Sequence, residues 1–273
     1  MVQHLLASQD GELLPILQSE LNLDPAHCQW LSDFGAIYHN HKRLRTSQVP
    51  ILKGDYLRVH SSPRRFPVQE TNWKNTVVFE NKDFVVINKP FAIPTHASVD
   101  NLYENAAFQI SQALHCEIFV THRLDVATSG VLLLAKTKEF QKSFNIGLQE
   151  GKVQKTYWAR VSGHLTTTGI IEHYMENNDY LPKVVKTSSE PGWQQCLLEI
   201  VKVTPEEKTS LAVIRLITGR THQIRAQMAA LGHPILGDKI YGGVHPWETI
   251  ERIDLSARSL RFHIGQDYEF TLE

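Results

Sequence analysis

Cysteine is scarce in this chain of 273 residues. Cys28, Cys116 and Cys196 are far apart and odd in number, which argues against a disulfide framework and against a Cys-x-x-Cys metal site. Long apolar runs are missing too. No stretch approaches the roughly 20 residues of a membrane span, and Met1 to Glu20 is acidic, without the basic start of a secretory signal. The expected location is therefore cytoplasmic, with no membrane partner. There is no Walker loop, no dinucleotide glycine fingerprint and no metal cluster; the 14 histidines, His39 and His41 among them, show no ligand spacing.

With 42% hydrophobic residues the chain can fill a sizeable core as one large domain or two. Its net charge of −1 hides a segregation. Residues 1–41 carry five acids and no Lys or Arg, whereas residues 42–65 carry seven Lys or Arg against the single Asp55. Such a run is either a solvated face or the electrostatic footprint of phosphates. Ser61 to Pro67 then has the Pro and Ser content of a linker. The expected division is a small N-terminal unit over residues 1–66 and a larger domain over residues 67–273.

In the larger part, Val77 to Glu80 and Asp83 to Asn88 read as a hairpin turning at Asn81-Lys82. Leu102, Ala106, Ile110 and Leu114 predict a helix over 101–115, and Phe140, Phe144 and Leu148 predict another over 138–150. Strand alternation over 153–162 places Lys155, Tyr157 and Ala159 on one face. Segments 196–204 and 209–217 form a second hairpin, Thr221 caps a helix running to Leu231, and two short strands flank Gly265. Strands outnumber helices and hairpins dominate, so the fold class is α+β with a mixed, largely antiparallel sheet.

The stretch from Val120 to Lys136 stands out. It packs His122, Arg123 and Asp125 directly before Gly130 and an aliphatic run that reads as a strand buried on both faces. Asp125 is the only carboxylate between Glu117 and Glu139, and a nearby guanidinium favours its ionised form. The same spacing suits a surface ion pair or a turn-capping carboxylate, and motif spacing alone does not choose between them.

The words His122-Arg123-Leu124-Asp125, then Thr128-Ser129-Gly130, then a strand ending Ala135-Lys136 resemble the signature of the RluA-type pseudouridine synthases. Three further stretches resemble the same family in the same order: Ile87-Asn88-Lys89-Pro90 with His96, Val153 to Ala159, and Thr218 to Arg225 running on to Gly232-His233-Pro234-Ile235-Leu236-Gly237-Asp238. Lys89-Pro90-Phe91-Ala92 departs from the family's Lys-Pro-Ala-Gly. In the N-terminal unit, residues 34–40 and 52–59 resemble the second half of the S-four RNA-binding module, while its helical first half is not recognisable in Glu20 to Trp30.

The resemblance implies a catalytic domain of the pseudouridine synthase type, acting on ribosomal or transfer RNA as a monomer and with no cofactor. Asp125 is then the essential aspartate, Arg220 the basic residue paired with it, and Tyr157 the ring that stacks on the target base. Ile224 is the opposite wall, and Arg123 a residue that assists base flipping or fills the vacated space. His122, Lys155, His222, Gln223 and Arg225 form a rim toward the RNA backbone, and Lys89 completes the substrate-binding set. A glycosidase would need a second carboxylate across the sugar. A non-catalytic RNA-binding protein would lack Asp125 and Tyr157, and both are present.

Overall fold

The structure is a computed structural model that describes residues 1–178, 180–243 and 252–273. The N-terminal unit comprises β1 (Val2–Leu6), β2 (Gly11–Glu12), α1 (Leu13–Leu21), α2 (Pro25–Asp33), β3 (Ile37–His39), β4 (Lys42–Arg43), β5 (Pro50–Ile51) and β6 (Tyr56–His60). Its main sheet runs β1-β6-β3-β4, with β2 and β5 pairing separately. Leu13, Ile16 and Leu17 recur at helical spacing and meet Leu31, Ile37, Leu57 and Val59 in one core.

The two helices correct the reading of residues 20–30, and the sequence did hold a signal for the second. Pro25 occupies the first turn of α2, where its missing N–H costs nothing, and the Asp24 carboxylate accepts from the N–H groups of Ala26 and His27.

A second correction concerns the basic run. Arg43 donates to the Tyr38 hydroxyl and to the Ser98 carbonyl, and the Arg58 guanidinium lies 4.0 Å from the Tyr38 ring centroid. Arg64 binds Asp100 through its backbone N–H at 2.9 Å and its side chain, and Arg65 grips Glu104 at 2.7 and 2.9 Å. Four of the seven basic residues are therefore engaged within the protein, three of them in the joint between the two units. Only Lys42, Arg45 and Lys53 are exposed and, among the described residues, unpaired.

The joint is held by two carboxylates whose ionisation matters to it. Burial opposes ionisation of Asp100, but hydrogen bonds from the Arg64 backbone and side chain and from Ser98 outweigh it and draw its pKa to about 2. At Glu104 burial is likewise outweighed by Arg65, the Phe66 N–H and Asn101. A depressed carboxylate stabilises the folded state above its unfolded pKa of roughly 4 and loses that contribution as pH falls through the folded value. The joint should therefore loosen between about pH 4 and pH 2. Trp30, 5.9 Å from the Arg65 guanidinium, reports on it. An acid titration of tryptophan fluorescence should show a transition in that window, absent from the Asp100→Asn/Glu104→Gln double variant; an identical transition in both proteins rules this out.

The second unit holds β7 (Val77–Glu80), β8 (Phe84–Lys89), α3 (Ala106–Leu114), β9 (Phe119–Val120), β10 (Ser129–Ala135), α4 (Lys138–Gln149), β11 (Gln154–Ser162), β12 (Gly169–Glu176) and β13 (Val185–Lys186). It continues with β14 (Trp193–Pro205), β15 (Thr209–Leu216), α5 (Gln223–Ala230), β16 (Leu255–Ile264) and β17 (Gln266–Thr271). Eleven strands form one sheet in the order β13-β12-β14-β15-β11-β16-β10-β8-β7, with β17 on β16 and β9 on β10. Among the described pairs only β10 with β16 is parallel, so the sheet is mixed and largely antiparallel, as expected.

All seven residues of β10 are buried, and its two faces separate cleanly. Leu132 and Leu134 join the core that contains Tyr157 and Ile224, whereas Val131 and Leu133 join Phe140, Phe144 and Phe262 beneath α4. Gly130 permits the parallel contact. Its φ is 113°, and a Cβ there would lie 2.1 Å from the Ala257 carbonyl oxygen, a backbone atom that cannot give way. Among the described residues, no helix is long and apolar enough to cross a membrane.

Candidate active site

The loop between β9 and β10 is fixed by one hydroxyl. Thr95 Oγ1 donates to the Leu124 carbonyl at 2.9 Å and accepts from the Leu124 N–H at 3.0 Å, while the Leu124 side chain enters the core. The Thr128 N–H closes the turn on the Asp125 carbonyl at 3.0 Å. With both neighbours held, Asp125 faces a cleft of about 720 Å³. Arg123 is exposed beside it and donates from Nη1 to His96 Nε2 at 3.1 Å, joining two of the sequence motifs.

Two side chains approach Asp125. Arg225 Nη1 lies 3.7 Å and His222 Nε2 3.9 Å from Oδ2, both beyond hydrogen-bond range. Among the described residues no hydrogen bond reaches the Asp125 carboxylate, so it sits beside positive charge with its lone pairs uncommitted. Arg225 is 4% exposed and is locked from behind, its Nε and Nη2 binding the two oxygens of Asp238 at 2.6 and 2.8 Å. Its Nη1 donates to His222 Nε2 at 2.8 Å, which makes Nδ1 the protonated nitrogen, donating to the Tyr241 hydroxyl at 3.2 Å. Burial, ahead of the surrounding charges, lowers the His222 pKa, in keeping with a neutral ring.

The expected pairing of Arg220 with Asp125 is not present. Arg220 is exposed in the loop between β15 and α5, at the cleft's edge, and among the described residues its side chain makes no ion pair. His222, not Thr221, is the N-cap, with φ 57° and ψ 20°, so α5 begins at Gln223 and carries Arg225 in its first turn.

Tyr157 and Ile224 are each 5% exposed and line the same cleft from β11 and α5. The register between β11 and β16 shifts between Thr156 and Tyr157, a bulge that re-aims the following side chain. Burial, reinforced by the Asp125 charge, raises the Tyr157 pKa, so its hydroxyl keeps its proton; among the described residues it has no hydrogen-bond partner. Lys155 also lines the cleft, and burial lowers its pKa.

Several residues expected at an RNA-facing rim or in the substrate-binding set are buried or committed to partners within the protein. Gln223 is 2% exposed, and Arg225 is spent on Asp238, as described above. Lys89 is fully buried and donates to the carbonyls of Pro90 and Ile93 at 2.8 and 2.6 Å; burial pulls its pKa down to about 7 against the attraction of Asp125. His122 accepts the Leu133 N–H at 3.2 Å, and burial, then the Lys155 charge, take its pKa to about 3, so it is a neutral wall of the cleft. His222 is held between Arg225 and Tyr241. Arg123, Lys155 and Arg220 are the cations at or lining the cleft that remain available to a ligand.

Residues 83–230, just over half of the chain, match the RNA pseudouridylate synthase family. The chain belongs to this family. Within it the chain is of the RluA type. It is 31% identical over 199 residues to the dual-specificity RNA pseudouridine synthase RluA of Vibrio parahaemolyticus, covering 68% of this chain and 77% of that protein. It is 31% identical to the chloroplastic RNA pseudouridine synthase 6 of Oryza sativa subsp. japonica over 88% of its own length, and it spans 64% of that protein's length. The solved human RNA Pseudouridylate Synthase Domain Containing 1 overlays with a TM-score of 0.60 at 26% identity, covering 72% of this chain and 82% of that one. The stretch matching the synthase family contains Lys89, Asp125, Tyr157 and Arg220 to Arg225 and ends before Asp238 and Tyr241. Neither Asp238's pairing with Arg225 nor the clamp by Thr95 was foreseen. The only signal was that Asp238 closes the fourth recognised stretch.

Proposed function

We propose that this chain is an RNA pseudouridine synthase that isomerises uridines of ribosomal or transfer RNA, with Asp125 as the essential carboxylate. One observation carries the reading: a carboxylate beside the Arg225 guanidinium yet, among the described residues, free of hydrogen bonds, in a cleft that also presents Tyr157 and Ile224. The reaction breaks the bond from uracil N1 to ribose C1′ and forms one from C5 to C1′; the C5 proton leaves and N1 is protonated, with no net redox change. It needs a carboxylate nucleophile or base and a uridine taken out of its stack.

Asp125 supplies the carboxylate, with the Arg225 guanidinium 3.7 Å from its Oδ2. Tyr157 and Ile224 offer an aromatic face and an aliphatic wall between which a flipped base fits. Arg123 stands where it can occupy the space the base leaves, while Lys155 and Arg220 meet the RNA backbone. Within residues 1–66, two helices beside a small sheet support an RNA-binding role, with Lys42, Arg45 and Lys53 as its free cations. A glycosidase reading is weaker, because Asp125 is the only carboxylate among the described residues that line the cleft.

The test is to map pseudouridines in total cellular RNA with and without the gene, then to restore missing sites with purified protein. Maps that do not differ would overturn the proposal. A finer expectation concerns Tyr157→Phe. Among the described residues the lost hydroxyl has no hydrogen-bond partner, so the melting temperature should change little, by an amount equivalent to less than about 1 kcal/mol. Single-turnover conversion should slow markedly if that hydroxyl bonds the substrate, and an unchanged rate would restrict Tyr157 to its ring.

A further inference from the structure

Behind the loop that carries Arg220 runs a buried chain of amides that none of the recognised motifs explains. Gln227, in the middle of α5, is fully buried. Its Nε2 faces three acceptors, the carbonyls of Ile171 at 3.3 Å and Cys196 at 3.2 Å and His173 Nδ1 at 3.2 Å. Its Oε1 accepts from Gln223 Nε2 at 2.9 Å. Gln223 Nε2 also donates to the Leu197 carbonyl at 3.0 Å. Its Oε1 takes the Thr218 hydroxyl at 2.9 Å and the backbone N–H of Arg220 at 3.0 Å. Thr218 Oγ1 in turn accepts the Leu197 N–H at 2.8 Å.

The direction of this chain is determined at every link. Both hydrogens and both lone-pair positions of the Gln223 amide are used, so Gln223 has a single orientation. Gln227 must then present oxygen to Gln223 and its NH₂ to the three acceptors on β12 and β14. Burial lowers the His173 pKa, and the neutral ring can accept at Nδ1. A flip of either amide would set donor against donor in a buried site, where an unmade bond costs about 1–3 kcal/mol. The loop needs such a tether, since His222 adopts a left-handed conformation and caps α5 without a side-chain bond.

We propose that Gln227 is a positioning residue for the reaction. Through Gln223 it fixes the backbone at Arg220 and so sets where the Arg220 guanidinium stands over the cleft opposite Asp125 and Tyr157. This rests on the reading of the cleft as the site of uridine isomerisation.

The test is a double-mutant cycle between Gln227→Leu and Arg220→Ala in the full chain, read by single-turnover pseudouridine formation and by KM for the RNA. Gln227→Met, close in volume, provides a second variant if leucine fails to fold, and thermal unfolding identifies such a failure. Gln227→Leu should lower the rate by about tenfold, because a small misplacement of a substrate-positioning contact is expensive even away from the reacting atoms. In the Arg220→Ala background the same change should add nothing, whereas a purely structural glutamine would subtract equally in both backgrounds. Additive losses in an active wild-type protein overturn the role of Gln227 and leave the functional reading standing. A wild-type protein with no pseudouridine formation overturns both.

Discussion

Asp125→Asn should abolish pseudouridine formation and leave the protein as stable as before to within about 1 kcal/mol, the range of exposed ion pairs. Both halves follow from the geometry. The Asp125 side chain is 27% exposed and, among the described residues, takes no hydrogen bond; the Arg225 guanidinium and the neutral His222 ring stand at 3.7 and 3.9 Å. Removing its charge strands neither of them, because Arg225 keeps both bonds to Asp238 and its contact with His222. Had Asp125 been one partner of a closed, buried pair, its loss would cost about 3–5 kcal/mol. Asparagine preserves shape but is neither a nucleophile nor a base of the required strength, so RNA should still bind while turnover disappears. The check is single-turnover conversion, an RNA-binding assay and thermal unfolding on one preparation. Retained activity would mean that Asp125 is not the essential carboxylate.

What could be read from the sequence follows the range of the interaction involved. Period and punctuation are local, so β10, α4 and the hairpins of the large sheet were legible, as was the Asp125 cleft through its ordered motifs. The second N-terminal helix was equally local, with its start written in Asp24-Pro25. The partner of Asp125 is a different kind of fact. Arg220 and Arg225 lie on one short stretch, and which of them comes near the aspartate depends on the left-handed turn at His222 and on Asp238, 13 residues beyond Arg225. Gln223 and Lys89 were misplaced for a related reason. Polar residues are assigned to the surface by default, and only tertiary structure reveals the carbonyls and amides that satisfy them inside. The basic run of residues 42–65 is the clearest case, since its charge pattern was real while Asp100 and Glu104, its main counterions, lay far along the chain.

The same reasoning gives Arg225 and Asp238 the largest stability effects of any pair in the site. Both side chains are almost wholly buried, at 5% and 1% exposure, and bound through two parallel hydrogen bonds. Arg225→Met would leave the Asp238 carboxylate buried without its counter-charge, and loss of one partner of such a pair costs about 3–5 kcal/mol. For a chain of this size that is a fall in melting temperature of the order of 10 °C. Asp238→Leu should do similar damage by leaving the guanidinium, among the described residues, with the distant Asp125 carboxylate, the His222 contact and the Tyr241 ring. The double variant Arg225→Met/Asp238→Leu buries no unpaired charge, and replacing an entire buried pair with apolar groups is often neutral or stabilising, so most of the lost stability should return. Catalysis should not return with it. The cation beside Asp125 is absent from the double variant, and a pocket folded around methionine and leucine cannot supply that field. Thermal unfolding of the two singles and the double, paired with single-turnover rates, separates the two roles. If the double variant regains its rate together with its stability, Arg225 serves only the fold. If it regains stability alone, the guanidinium acts on the aspartate as the 3.7 Å separation implies.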